Sequence, residues 1–194
     1  RFAIVTEQVC PELADIGRVT SAVWADFNQD GQPDLALAGE WMPIVVLQNS
    51  NGRLEQMTEG QVALENSVGW WNTLATADLD GDGDLDLVAG NLGWNAPYRA
   101  DADQPVRLYI ADFEGNGQPK AVMTHYLQNR EAPVHFRNDL LNWLFPLKKQ
   151  FRDYASYAQA SWQEIYPPST LKQAQVLEAQ TFSTSWIENR NGIF

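Results

Sequence analysis

Cysteine is almost missing from this sequence: Cys10 is the only one in 194 residues. An internal disulfide is thereby excluded, and with it a small scaffold that relies on cross-links. Histidine is nearly as scarce. His125 and His135 are the only two, and neither has a cysteine or an acidic residue at metal-ligand spacing, so a zinc motif is absent. There is no nucleophile elbow and no phosphate loop. The two histidines therefore read as structural, and an enzyme is not the expectation. No run of 18 apolar residues occurs, so no helical membrane span is expected. An initiator Met and a signal peptide are also missing, which places any export signal outside this stretch of chain. Positive charge is the last shortage. Lys and Arg number 13 against 25 Asp and Glu, a net charge of −12 that argues against a nucleic-acid partner.

What is present is carboxylate, and it is concentrated. Residues 1–129 hold 19 acids and 6 bases, whereas residues 130–194 hold 6 acids and 7 bases. Five aspartates fall within nine positions in Asp78-Leu79-Asp80-Gly81-Asp82-Gly83-Asp84-Leu85-Asp86. Unit charges ~4 Å apart repel by about 1 kcal/mol in water and about 4 near a protein surface. A cation within the loop would cancel this. Asp78, Asp80 and Asp82, at positions 1, 3 and 5, can converge if the backbone curls at Gly83, and Asp86 at position 9 can close the cage. Oxygen donors without His or Cys suit Ca²⁺. An EF-hand would need an acid at position 12, where Ala89 stands. The flanks, Thr73–Ala77 and Leu85–Gly90, are short and apolar and read as strands on either side of the loop.

The same unit recurs. Ser21–Ala38, Thr73–Gly90 and Arg107–Thr124 align without gaps, each with an apolar run, Ala-Asp, a loop with Gly at position 6, and a second apolar run. A second register agrees: residues 1–7 match Arg53–Glu59 at an offset of 52, the offset that also separates Asp26 from Asp78. Asn49-Ser-Asn-Gly-Arg-Leu54 further matches Asn189-Arg-Asn-Gly-Ile-Phe194, so an Asn-Gly hairpin turn recurs.

These residues resemble the FG-GAP/VCBS repeat, the calcium-loop blade of integrin α-subunit propellers and of many secreted bacterial proteins. Asp26–Asp34 and Asp78–Asp86 carry its whole signature. Gly39-Glu-Trp-Met-Pro43, Gly69-Trp-Trp-Asn72, Gly90-Asn-Leu-Gly93 and Ile187-Glu-Asn189 are similar to bacterial proteins that place such repeats ahead of an ASPIC/UnbV domain, with cartilage acidic protein as the animal relative. The resemblance implies a mainly β fold: part of a β-propeller, about three blades of antiparallel strands with calcium loops, carrying a small helical insertion. It implies two Ca²⁺ sites. One uses Asp26, Asn28, Asp30, the Gln32 carbonyl and Asp34; the other uses Asp78, Asp80, Asp82, Asp84 and Asp86. It implies a calcium-stabilised scaffold, secreted, periplasmic or on the cell surface, that binds protein or glycan, or else an accessory or catalytic propeller of a larger secreted enzyme. Three loop motifs fall short of the roughly four blades that close a ring, so the remaining blades are expected in a longer chain.

Taken in order, residues 1–7 read as the last strand of a blade and Pro11–Gly17 as a connector. Strands are expected at Val19–Phe27 and Asp34–Gly39, then a hairpin of Ile44–Gln48 and Arg53–Thr58, then a loop over 60–69. Asn91–Pro105 reads as a long surface loop. Beyond Asn138 the period changes to 3.6, with Leu147, Phe151, Tyr154, Ala155, Ala158 and Trp162 on one stripe. Helices are expected at Asn138–Phe145, along that stripe, and at Leu171–Ala179. Residues 137–179 thus read as a helical insertion within the third blade, before its Asn-Gly turn. Five of the 13 bases (Arg130, Arg137, Lys148, Lys149 and Arg152) lie within 23 residues and read as a solvated helix face.

The third loop, Asp112–Lys120, departs from the pattern. Glu114 stands at position 3 and Lys120 at position 9, in place of Asp34 and Asp86. That is two charge units against a cation. The expectation is a loop that keeps its turn through Gly117 and holds no calcium, with the Lys120 ammonium near Asp112 or Glu114.

Overall fold

In the computed structural model, residues 2–57, 63–166 and 168–194 are described. The chain divides into two compact units, residues 1–97 with 179–194, and residues 98–178.

The first unit is built from a repeated β-element. Strand β1 (Arg18–Ala25) leads through the first Asp loop into β2 (Asp34–Met42), followed by β3 (Val45–Ser50) and β4 (Arg53–Gln56). All neighbours in this meander are antiparallel. β5 (Gly69–Ala77) leads through the second Asp loop into β6 (Asp86–Asn91). β5 lies beside β2 through Glu40↔Trp70 and Met42↔Gly69, which joins both elements into one seven-stranded sheet. The approach at Gly39 leaves no room for a side chain, since a Cβ there would stand 2.0 Å from the Arg18 carbonyl oxygen.

The second unit begins with the third copy. β7 (Val106–Ala111) and β8 (Lys120–Leu127) flank the third loop, β9 (Arg130–Pro133) adds to β8, and β10 (Gln175–Ala179) adds to β7. All three loops are closed by the same pair, the Ala before position 1 facing the residue at position 9: Ala25↔Asp34, Ala77↔Asp86 and Ala111↔Lys120. The gapless sequence alignment is thus also a backbone register.

The final strand, β11 (Ser185–Ile187), corrects the sequence reading. The turn that starts at Asn189 was expected to belong to the third copy. Instead β11 pairs with β6 through Leu87↔Ile187, Val88↔Trp186 and Ala89↔Ser185. Those pairs repeat Leu35↔Leu47, Ala36↔Val46 and Leu37↔Val45 of the first element. The second copy is therefore finished by the end of the sequence, and everything from 98 to 178 is inserted in it. The third copy has its own hairpin. Gln128 and Asn129, with φ of 50° and 63°, turn β8 into β9 as Asn51-Gly52 turns β3 into β4.

Other expectations also change. Residues 2–5 lie in no strand and residues 6–9 form a one-turn helix, α1 (Thr6–Val9). An extended segment needs a neighbouring ladder for its N–H and C=O groups, and among the described residues none pairs with it. The single stripe breaks into pieces. After α2 (Arg137–Trp143) and a 3₁₀ turn at Phe145–Lys149 come α3 (Tyr154–Gln159) and α4 (Trp162–Ile165). Asp153 caps α3, and Ser161 starts α4 with a reciprocal capping box to Glu164, so each cap restarts the helix out of phase. Leu147, Phe151 and Trp162 are buried as expected, but Tyr154, Ala155 and Ala158 are exposed. The expected helix over Leu171–Ala179 is replaced by α5 (Pro168–Leu171) and β10. Position 58 of the expected strand and 60–62 of the expected loop lie outside the described residues; Ala63–Asn66 is a 3₁₀ turn.

Each unit has its own apolar interior. In the first, Phe27, Ile44, Val46, Trp71 and Leu87 pack together, and a second cluster gathers Cys10, Leu35, Met42 and Leu47. In the second unit, Trp162 is fully buried among Tyr109, Phe113 and Tyr166, with ring centroids 5.3, 6.0 and 5.1 Å away. Glu131 is also buried there, and its charge is well matched. Tyr109 and Thr124 hydroxyls donate to one oxygen at 3.0 and 2.7 Å, and Arg107 and Gln163 donate to the other at 3.3 and 2.9 Å.

Candidate metal centre

The three loops share one hydrogen-bond plan. The aspartate at position 1 accepts from backbone N–H groups further along its own loop. Asp26 takes Asp30 and Gly31 at 3.0 and 2.9 Å, Asp78 takes Gly81 and Gly83 at 2.8 and 3.2 Å, and Asp112 takes Asn116 and Gly117 at 3.1 and 2.7 Å. These bonds bend the chain into a curl. Gly31, Gly83 and Gly117 at position 6 have φ of 86°, 99° and 80°. A Cβ on any of them would meet nothing within 4 Å, so glycine serves the backbone conformation here and not a close approach.

In the second loop the curl brings Asp78, Asp80 and Asp82 together, with one oxygen of each within 4.8 Å of the others, all exposed. The Asp82 N–H draws the Asp80 carboxyl downward, but desolvation and the charges of Asp82 and Asp86 outweigh it and leave Asp80 above the usual carboxylate range. Arg190 is close enough to feel Asp80 and Asp82, although its guanidinium is bonded to Glu188 at 2.8 and 2.9 Å. The oxygen-only donor set fits a hard divalent cation. In the first loop Asn28 takes the place of Asp80; its Oδ1 accepts from the Asp30 N–H at 3.1 Å and its amide donates to Asp30 at 3.0 Å.

The position-9 aspartates lie deeper than their loops. Asp34 and Asp86 are buried, and each ties the start of its loop to the next hairpin. Asp34 accepts from Phe27 N–H at 3.1 Å and Asn49 N–H at 2.8 Å; Asp86 accepts from Leu79 N–H at 3.1 Å and Asn189 N–H at 2.9 Å. Their titration diverges. Burial pushes Asp34 up, against the pull of Asn49 and Phe27 and with the help of Asp30 and Asp26. Burial also opposes ionisation of Asp86, but the donors Asn189, Leu79 and Trp186 together win and hold it low. Position 7 is equally committed, since the Gln32 side chain accepts from Asn51 N–H and Asp84 accepts from Asn191 N–H, at 2.8 and 2.6 Å.

Two residues bridge the loops: Gln29, which sequence reasoning did not single out, and Asn189, which it marked only as the start of a turn. Gln29 has φ of 57° at position 4, where the other loops have Gly81 and Gly115 with φ of 81° and 70°. The strain is offset by its side-chain amide, which donates to Gly83 O at 3.2 Å and to Asp84 at 2.6 Å. Asn189 donates to Phe27 O and Leu85 O at 2.8 and 3.1 Å, and so holds both loops at once. A glutamine where two repeats have glycine is the one sequence signal that pointed to Gln29.

The third loop behaves electrostatically as its composition implies. Lys120 Nζ lies 2.9 Å from Glu114, so an ammonium stands beside the acid at position 3. Asp112 is held low, first by Gly117 N–H and then by further backbone donors. Replacing Lys120 with Asp should remove this cation and add an acid, raising calcium stoichiometry by one per chain in a calorimetric titration. Unchanged stoichiometry would show that Lys120 is not what distinguishes the loop.

The family model of the FG-GAP-like repeat matches residues 26–89, which contain the first two loops and the strands between them. No curated protein and no solved structure matches the chain. Those residues therefore carry an FG-GAP-like repeat, in a mainly β chain of two antiparallel sheets and short helices. Among the described residues no helix is long and apolar enough to cross a membrane.

Proposed function

We propose that this chain is part of a calcium-stabilised β-propeller-type scaffold working outside the cytoplasm, where its exposed loops meet protein or glycan. The observation that carries the reading is the duplication of one loop. The first and second loops share sequence, closing pair, position-1 hydrogen bonds and a buried position-9 staple. Asp26, Asn28, Asp30 and the Gln32 carbonyl, closed by Asp34 at position 9, would hold one ion; Asp78, Asp80, Asp82 and Asp84, closed by Asp86 at position 9, would hold the other. Exposed loops of this kind suit the weak affinities of extracellular calcium modules, about 10⁻⁴–10⁻³ M. The flanking Gly-Trp and Gly-Asn motifs favour the subfamily whose members place such repeats before an ASPIC/UnbV domain.

A ligand that binds only the native state stabilises it by about 2.7 kcal/mol at a hundredfold excess over its Kd. Calcium at ten millimolar should therefore raise the melting temperature above that in chelator, magnesium should do so less, and titration should count two ions per chain. Asp80→Ala should remove one ion and leave the other. An identical melting curve in calcium and in chelator would overturn the reading.

A further inference from the structure

The second unit contains a cavity that plays no part in the calcium reading. It is an open groove of about 320 Å³ between the β8–β9 hairpin, the segment after it and α3. That volume is at the small end of the range for small-molecule sites. Most of its walls are apolar, from Leu127, Val134, Phe136 and Tyr154 among others. Two of those rings are left in water: Phe136 is 80% exposed and Tyr154 62% exposed.

The charged lining is all of one sign. Arg130 and Arg137 line the cavity, and among the described lining residues there is no Asp or Glu. This is a reversal of sign in a chain of net charge −12. The two arginines are held, not swinging in solvent as a surface helix face would have them. Arg130 donates to the carbonyl oxygens of Ala158 and Ala160. Arg137 donates to Phe151 O and Asn138, and its guanidinium lies 5.4 Å from the centre of the Tyr154 ring. A guanidinium has five N–H donors, so both keep donors beyond these bonds. Asp153 acts on Arg137 from outside the lining, but its carboxylate is occupied as the cap of α3 by Ser156 N–H at 2.7 Å. Asp139 likewise acts on His135 from outside the lining.

Both histidines of the chain also line the cavity. Burial lowers each of them, so at neutral pH both rings are neutral and the positive charge comes from the arginines. His125 is fixed edge-on against Tyr98 at 5.6 Å, and Tyr157 donates to the His135 carbonyl at 2.7 Å.

We propose that this cavity is a binding site for a small organic anion, a flat apolar body bearing one carboxylate. The body would cover Phe136 and Tyr154, and the carboxylate would take the remaining N–H donors of the fixed arginines. Because the only two histidines line the cavity, their ring proton resonances in the full chain report on it directly. Phenylacetate should shift both sets saturably and bind at least tenfold more tightly than phenethylammonium, which has the same ring and the opposite charge. Arg137→Gln should weaken phenylacetate at least tenfold. Should that variant fail to fold, Phe136→Ala at an exposed position carries the comparison, with an expected loss of threefold or more.

Four results would overturn the proposal. They are the absence of saturable shifts with phenylacetate, equal binding of the ammonium, competition by inorganic phosphate at equal concentration, and unchanged affinity in Phe136→Ala. A peptide ending in phenylalanine that binds more than tenfold more tightly than phenylacetate would also overturn it, in favour of a protein terminus as the occupant.

Discussion

Trp162→Ala should destabilise the second unit by about 3–5 kcal/mol, the cost of emptying a large aromatic site in a core that closes only in part around the gap. Trp162 is fully buried and is the hub of the aromatic cluster with Tyr109, Phe113 and Tyr166. Each such ring pair adds about 0.5–1.5 kcal/mol beyond area burial. Two devices place the ring there, the Ser161–Glu164 capping box that starts α4 and the Gln163 bond to buried Glu131. The indole N–H has no hydrogen-bond partner among the described residues. Trp162→Phe should consequently cost much less than the alanine change, since it deletes a buried unpaired donor while keeping a ring. Denaturant midpoints would rank the variants, and hydrogen exchange in β7–β9 would locate the loss. Equal costs for Phe and Ala would show that the ring contacts are not what matters.

Asp86→Ala should be the most damaging change in the loops, and damaging even in chelator. The carboxylate is wholly buried, and its removal strands the N–H groups of Leu79 and Asn189. A buried donor left unsatisfied costs about 1–3 kcal/mol, which applies to the buried Asn189 N–H, while the Leu79 N–H is only partly buried and adds less. The loss also frees Asn189, whose amide joins Phe27 O to Leu85 O and whose Oδ1 accepts from Gly192 N–H at 2.8 Å. Asp86→Asn, which keeps one acceptor, should fall between wild type and alanine. Asp80→Ala is the contrast, because Asp80 is exposed and crowded by like charge; without calcium it should be neutral or slightly stabilising. Because burial is outweighed by these donors, the folded Asp86 titrates below its usual value. Its contribution is therefore present above the unfolded pKa and is lost as pH falls through the lower folded one. Acid unfolding monitored by tryptophan fluorescence should lose this component in Asp86→Ala. If chelated Asp86→Ala melted with the wild type, the aspartate would be a ligand and nothing more.

Local rules were enough to read the repeat from the sequence. Position-1 Asp, position-6 Gly and alternating apolar residues act within a dozen residues, so the three loops, their flanking strands and the Asn-Gly turns could all be derived from spacing, although only Asn51-Gly52 joins two strands. The contact between Lys120 and Glu114 was legible for the same reason, since both lie in one nine-residue loop. Which strand finishes which copy could not be read that way. Asn189 follows the third loop in sequence, yet its N–H bonds to Asp86, 103 residues earlier. Nothing local distinguishes that pairing from one with β8, because β11 would present the same alternation to either edge. The edge of β8 is taken by β9, whose Gln128-Asn129 turn has no glycine to announce it. The long helical stripe was misread for a related reason: Asp153 and Ser161 restart the helix, and the aromatic residues are then placed by the core they fill and not by a 3.6-residue period. The roles of Gln29, Asp34 and Asp86 also waited on the tertiary structure, because each depends on a partner that chain folding brings alongside and that sequence distance conceals.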